Sequence, residues 1–247
     1  MKTVHFKIKR QLDKNSRPFW EDFEVPYRPG MNVIIALLDI AKNPVTKSGK
    51  KTTSIAWDCN CLEEVCGACT MVINGKVRQS CSALVDQLEK PIRLEPMSKF
   101  PVVRDLKVDR QFMFDALKRV KAWIPIDGTY DLGPGPKMSD QDQQTGYKLS
   151  QCMTCGCCVE VCPQFNDRSE FIGAAALSQV RLFNLHPTGK MQKEERLAAI
   201  MGEGGIEDCG NSQNCVKVCP KEIPLTTSIA DLNRDTTLFA LKKIFQG

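Results

Sequence analysis

The chain opens on strict alternation. In "TVHFKIKRQ" (3–11), Val4, Phe6 and Ile8 alternate with polar residues, which predicts a half-buried strand, and "EDFEVPY" (21–27) has the pattern of its hairpin partner. The period then lengthens. "MNVIIALLDIAKN" (31–43) is predicted as a helix whose buried stripe is Ile34, Leu37, Leu38 and Ala41. Alternation returns in "CTMVINGKVRQSC" (69–81), where Asn74-Gly75 between two apolar runs is a strong hairpin signal. Residues 1–105 are therefore expected to be strand-rich with one early helix.

From about residue 106 helical spacing takes over. "DRQFMFDALKRVKAW" (109–123) sets Phe112, Leu117 and Val120 on a core face. "IPIDGTYDLGPGPKMSD" (124–140), rich in Gly and Pro, is expected to be an irregular connection. Three more helical patterns follow, in "GAAALSQVRLFNL", "QKEERLAAIM" and "TTSIADLNRDTTLFALKKIF"; the KEER run at 193–196 is expected to be a solvated helix face. The longest apolar run, "VIIALLDIA" (33–41), is broken by Asp39 and falls far short of the ~20 residues that span a bilayer. No charged leader precedes an apolar secretory core, so any membrane attachment is expected to come through another subunit.

Composition changes the picture at one residue type. Thirteen cysteines in 247 residues call for metal or redox chemistry in a chain without an export signal, and an odd count suits a disulfide framework poorly. The formal charge of +5 is scattered, not striped, which argues against nucleic-acid binding. His5 and His186 are expected to be structural.

The cysteines fall into three groups. Cys61, Cys66 and Cys69 give C-x4-C-x2-C, followed by Cys81 at the far end of the hairpin, which is the plant-type spacing for a [2Fe–2S] cluster. A zinc site is the alternative, although zinc modules usually pair two short C-x2-C knuckles. Gly67 lets the loop backbone pass close to the cluster. Cys59 is expected to be an ordinary half-buried residue.

The other two groups follow the two-cluster template C-x2-C-x2-C-x3-C-P, in which the fourth cysteine ligates the other cluster. Cys152, Cys155, Cys158 and Cys162, followed by Pro163, fit in full, and Cys157 is left over as a buried filler. In "CGNSQNCVKVCP", Cys209, Cys215, Cys219 and Pro220 fit, but the second position is Ser212. The crossing rule assigns Cys152, Cys155, Cys158 and Cys219 to a [4Fe–4S] cluster. Cys162, Cys209 and Cys215 are left for a [3Fe–4S] cluster, with a serine-ligated [4Fe–4S] cluster as the alternative. Eleven cysteines are thereby used. Three oxidised clusters with their thiolates carry about −2 each and bring the net charge to about −1.

With this ordered signature, and in the stretches "CLEEVCGACTMVINGKVRQSC", "KAWIPIDGTYDLGPGP", "CMTCGCCVEVCP" and "CGNSQNCVKVCPKEIPLTTSI", the chain resembles the iron–sulfur subunits of succinate dehydrogenase and fumarate reductase. The likeness is greatest to the menaquinone-linked bacterial form. It implies an α+β fold: a β-grasp plant-type ferredoxin domain at 1–105, then an all-α bacterial ferredoxin-like domain at 106–247. It implies electron transfer from a flavoprotein subunit with FAD, through the three clusters, to a membrane cytochrome b anchor with haem b and on to quinone. The expected location is the cytoplasmic face of the bacterial cell membrane, as a peripheral subunit without acid–base chemistry of its own. Succinate oxidation is the expected direction. The alternatives are quinol:fumarate reduction, another flavoprotein dehydrogenase, or a soluble ferredoxin-like carrier. Ubiquinone-using members of the family carry a tryptophan and a histidine where this chain has Asp167 and Gly210, so the resemblance implies a quinone site elsewhere in the anchor.

Overall fold

A computed structural model describes residues 2–125 and 137–246. The chain divides into two compact units, residues 1–110 with 153–160, and 111–152 with 161–247. Most of the Gly/Pro-rich connection expected at 124–140 lies outside the described residues.

The first unit is built on a five-stranded mixed sheet. Strands β1 (Thr3–Arg10) and β2 (Phe19–Pro26) pair antiparallel, with Phe6 opposite Phe23 and Val4 opposite Val25. Strands β3 (Thr70–Ile73) and β4 (Lys76–Gln79) form the predicted hairpin, and Asn74 and Gly75 take φ of 49° and 77° at its turn. Such a primed turn matches the twist of the strands it joins. Strand β5 (Ile92–Glu95) runs parallel to β1 and antiparallel to β3, giving the order β2-β1-β5-β3-β4.

Helix α1 (Val33–Lys42) shares one buried cluster with this sheet, which includes Phe6, Ile8, Phe23, Ile34, Leu37 and Leu94. The buried stripe of α1 is Val33, Ile34, Ala36, Leu37 and Ile40. Leu38, expected inside, is 51% exposed, because the helix is rotated to bring Val33 and Ala36 onto the core. Asn32 caps it with its side-chain oxygen, which accepts from the Ile35 N–H at 2.9 Å, and its amide donates to the Cys81 carbonyl at 2.8 Å, tying the helix start to the segment after β4. Strands β6 (Val102–Arg104) and β7 (Lys107–Val108) form a small ribbon turned by Asp105. The short helix α4 (Cys157–Glu160) packs on β4.

The second unit is helical: α2 (Gln111–Arg119), α3 (Asp140–Ser150), α5 (Gly173–Leu185), α6 (Lys193–Ala199), α7 (Asn214–Lys217) and α8 (Leu225–Gln246). Helix α5 is its centre and packs against α2, α3, α6 and α8. Its run Ala174-Ala175-Ala176-Leu177 is buried nearly all round, which small side chains allow. In and just after α2 the fully inward residues are Met113, Ala116 and the expected Val120, while Phe112 and Leu117, also expected inside, are half-buried on the two flanks of that face. Within KEER, Glu194 and Glu195 face solvent, but Arg196 is fully buried. Its guanidinium donates to the carbonyls of Lys121, Trp123 and Gly189 at 2.7–2.9 Å, and those bonds offset the cost of burying the cation. Among the described residues, no helix is long and apolar enough to cross a membrane.

Candidate metal centres

The first thiol group sits where the loop 61–69 meets the β3–β4 hairpin. Leu62, Glu64 and Gly67, with φ of 61°, 56° and 69°, bend the loop so that its N–H groups turn inward. The Cys61 sulfur accepts from the N–H groups of Glu63, Val65 and Cys66 at 3.3–3.4 Å. The Cys66 sulfur accepts from those of Cys61 and Ala68, each at 3.5 Å. The donors from Glu63 and Val65, followed by Cys66, hold the Cys61 thiol down at about 7. Cys69 and Cys81 stand buried at the two open ends of the hairpin. Burial, then the neighbouring Cys69, pushes the Cys81 thiol up to about 11, with Cys61 adding to the rise. The four cysteines predicted from spacing are thus gathered, and a nest of N–H donors aimed at sulfur fits an anionic, thiolate-ligated group.

Gly67 has a reason beyond those visible in the sequence. A Cβ there would lie 2.7 Å from the Cβ of Cys155 and 3.0 Å from the Met153 carbonyl oxygen, so the loop 153–155 occupies that space. Cys155 is flanked by Thr154 (φ 50°) and Gly156 (φ 92°), and a side chain at Gly156 would strike the Phe100 ring at 2.7 Å. Of the four thiols assigned to the second cluster, Cys155 and Cys158 belong to the first unit, and Cys152 and Cys219 to the second. The Cys219 sulfur accepts from the Ile223 N–H at 3.4 Å.

Cys157 is buried, as expected for the left-over residue. It is more than filler, because its thiol hydrogen-bonds Cys155 and accepts from the Gln79 amide at 3.6 Å. That bond to Cys155 and its burial drive its own thiol strongly upward, so it stays protonated. The same bond comes first among the causes that lower Cys155 to about 7, where the nearby Arg110 cation also contributes. Cys59, expected half-buried, is exposed, because the segment around it forms no strand and alternation does not govern it.

The third group lies wholly in the second unit. Cys162, Cys209, Cys215 and Ser212 line one small pocket, closed on its apolar side by Phe171 and Ile229. Burial raises the Cys215 thiol, and proximity to Cys162 and Cys209 adds to the rise. Asn211 and Gln213, with φ of 49° and 59°, place Ser212 between two left-handed residues. A Cβ on Gly210 would meet the Gln164 amide nitrogen at 2.1 Å, so the Gln164 side chain occupies the space that a larger residue at 210 would need. Three thiols and one hydroxyl around a shared pocket fit a three-thiolate cluster.

Among the described residues, no group of three or more His, Cys, Asp or Glu side chains is placed to hold a single metal ion. His5 pairs with Asp22 at 2.6 Å, and His186 accepts from the N–H groups of Thr188 and Gly189, both structural roles. Sequence reasoning missed Arg110 and Gln164, whose partners are loop carbonyls and a glycine.

Residues 5–115 match a family profile described as a 2Fe-2S iron–sulfur cluster binding domain, and residues 148–223 one described as a 4Fe-4S dicluster domain. Over 244 residues the chain is 66% identical to the succinate dehydrogenase iron–sulfur subunit of Bacillus subtilis (strain 168), covering 99% of this chain and 96% of that one. It is 29% identical over 222 residues to the fumarate reductase iron–sulfur subunit of Wolinella succinogenes, covering 89% and 90%. The fold is shared with a chain of the Mycobacterium smegmatis Sdh1 complex in the apo form, at a TM-score of 0.75 and 22% identity over 95% of both chains.

Proposed function

Because the chain belongs to the family of succinate dehydrogenase and fumarate reductase iron–sulfur subunits, a part of an oxidoreductase complex, we propose that it carries electrons from an FAD-bearing flavoprotein subunit to a membrane cytochrome b anchor and its quinone. When bound, the three clusters supply one-electron sites in series. Cys61, Cys66, Cys69 and Cys81 hold the [2Fe–2S] cluster. Cys152, Cys155, Cys158 and Cys219 hold the [4Fe–4S] cluster, and Cys162, Cys209 and Cys215 the [3Fe–4S] cluster. The nest of N–H donors on Cys61 and Cys66 carries the reading, since it stabilises thiolates rather than thiols. The pocket shared by Cys162, Cys209, Cys215 and Ser212 supports the three-thiolate assignment.

Succinate oxidation is the favoured direction, since identity is 66% to a succinate dehydrogenase subunit against 29% to a fumarate reductase subunit. Among the described residues that line the third pocket there is neither His nor Trp: Gly210 has Gln164 filling the space beside it, and Asp167 is exposed. This supports a site for menaquinone elsewhere in the anchor, reached through haem b, with the present subunit held peripherally at the cytoplasmic face.

Iron and sulfide analysis tests the proposal. Anaerobically prepared protein is expected to hold about nine irons and ten labile sulfides, the total of one cluster of each kind. Stoichiometric zinc without labile sulfide would overturn it.

A further inference from the structure

We infer that Arg110 is a positioning residue that raises the reduction potential of the [2Fe–2S] site through the Gly67–Ala68 peptide. The inference rests on the cluster assignment proposed above. Arg110 is half-buried, and its guanidinium donates from Nη1 to the Gly67 carbonyl at 2.7 Å and from Nη2 to the Ala68 carbonyl at 3.0 Å. Nη1 also reaches the Cys155 carbonyl at 3.3 Å.

The Gly67 carbonyl and the Ala68 N–H are the two ends of one peptide unit, and that N–H donates to the Cys66 sulfur at 3.5 Å. In a trans peptide the two groups point to opposite sides. The unit is therefore held between a cation on its oxygen and a ligand sulfur on its hydrogen. A cation on the oxygen polarises the amide and makes its N–H a better donor, as in any chain of hydrogen bonds. A stronger N–H···S bond and a nearby positive charge both favour the cluster state with one more electron, and hydrogen bonds to sulfur are among the levers that set such potentials.

The fork also fixes geometry. It ties the loop carrying Cys66 and Cys69 to the turn carrying Cys155, where Gly67 leaves no room for a Cβ. Lysine can supply the charge at one point, but it cannot hold two carbonyls in a planar fork.

The test is a redox titration of the loaded complex followed by electron paramagnetic resonance, in wild type and in Arg110→Met, Arg110→Gln and Arg110→Lys. The two neutral variants are expected to lower the [2Fe–2S] potential. At a fixed ambient potential the reduced-to-oxidised ratio should fall roughly tenfold, which is about 59 mV for a one-electron couple. Arg110→Lys should recover part of the shift. The third site, assigned to Cys162, Cys209 and Cys215, should not move and serves as the internal reference.

A neutral variant that loads fully and keeps the wild-type [2Fe–2S] potential overturns the inference, and so does an equal shift at the third site. If Arg110→Met fails to load, Arg110→Gln decides by the same criterion, because it removes the charge while keeping a polar side chain at that position. Wild-type protein without a [2Fe–2S] signal would instead remove the cluster assignment itself, so the two failures are distinguishable.

Discussion

Ser212 holds the same step of its loop that Cys155 holds in the other motif. Cys155 lies between Thr154 (φ 50°) and Gly156 (φ 92°), and Ser212 between Asn211 (φ 49°) and Gln213 (φ 59°). Left-handed backbone costs a non-glycine residue roughly 1–2 kcal/mol, so three such residues in matching places mark a retained ligand conformation. Serine offers a hard oxygen where the template has a soft thiolate. Ser212→Cys is therefore expected to admit a fourth iron and convert the third site to [4Fe–4S], with a lower potential and slower electron flow to quinone. The measurement is low-temperature electron paramagnetic resonance of the oxidised protein. A [3Fe–4S] signal that persists unchanged in the fully occupied variant would show that Ser212 does not stand at the missing ligand.

Gly210 and Gln164 are expected to be energetically coupled. A methyl group at 210 meets only the far end of the Gln164 side chain, which can swing away. Gly210→Ala should thus cost about 1 kcal/mol, seen as a small fall in the thermal midpoint of the loaded protein. In a Gln164→Ala background the same change should cost almost nothing, and the difference is the coupling. Equal costs in both backgrounds would mean that Gln164 does not set the space beside Gly210.

What the sequence discloses follows the range of the constraint. The Asn74-Gly75 hairpin is legible because a two-residue turn dictates its own residues, and the proposed grouping of the cysteines rests on the ligand spacing that a cluster would require. Helix α1 is legible as a helix and its centre, Ile34 and Leu37, as its buried face, but the edge of that face is not, since Leu38 and Val33 have similar hydrophobicity and only packing chooses between them. Helix α3, "DQDQQTGYKLS", buries only Leu149 and begins on the Ser139 cap, so no apolar period announces it. Strand β5 is four residues long, follows Pro91, and gains its place from β1 and β3 on either side. Arg110, Gln164 and Arg196 act on backbone groups remote in sequence or on a neighbour's missing side chain, and no local pattern encodes either.

The buried pair of Arg10 and Asp105 should be the most sensitive polar feature of the first unit. Both side chains are fully buried and meet at 2.8 Å, and Glu21 also holds Arg10. Asp105 further accepts from the N–H groups of Gln11 and Ala56 at 3.1 and 2.9 Å. Asp105→Ala leaves a buried cation and two donors short of an acceptor, for an expected loss of about 3–5 kcal/mol. Asp105→Asn should lose less, because it keeps an acceptor and tolerates the φ of 49°. The thermal midpoints should rank wild type, then Asn, then Ala. A midpoint for Asp105→Ala equal to wild type would show that the pair contributes nothing net.

The two cysteines left outside the ligand sets should separate by reactivity. Cys59 is exposed, whereas Cys157 is buried, protonated and held between Cys155 and Gln79. Alkylation needs an accessible sulfur in its thiolate form, and a ligand sulfur is occupied by iron. The loaded chain is therefore expected to take up a single alkyl group, at Cys59, and none in Cys59→Ser. Removing iron with a chelator under denaturing, reducing conditions should expose all thirteen thiols. Cys157→Ala should keep all three clusters and cost about 1–2 kcal/mol for the lost packing and hydrogen bonds. Peptide mapping by mass spectrometry reads each site. Rapid labelling of any of the eleven assigned cysteines in fully loaded protein would remove that residue from the ligand set, and loss of the [4Fe–4S] signal in Cys157→Ala would add Cys157 to it.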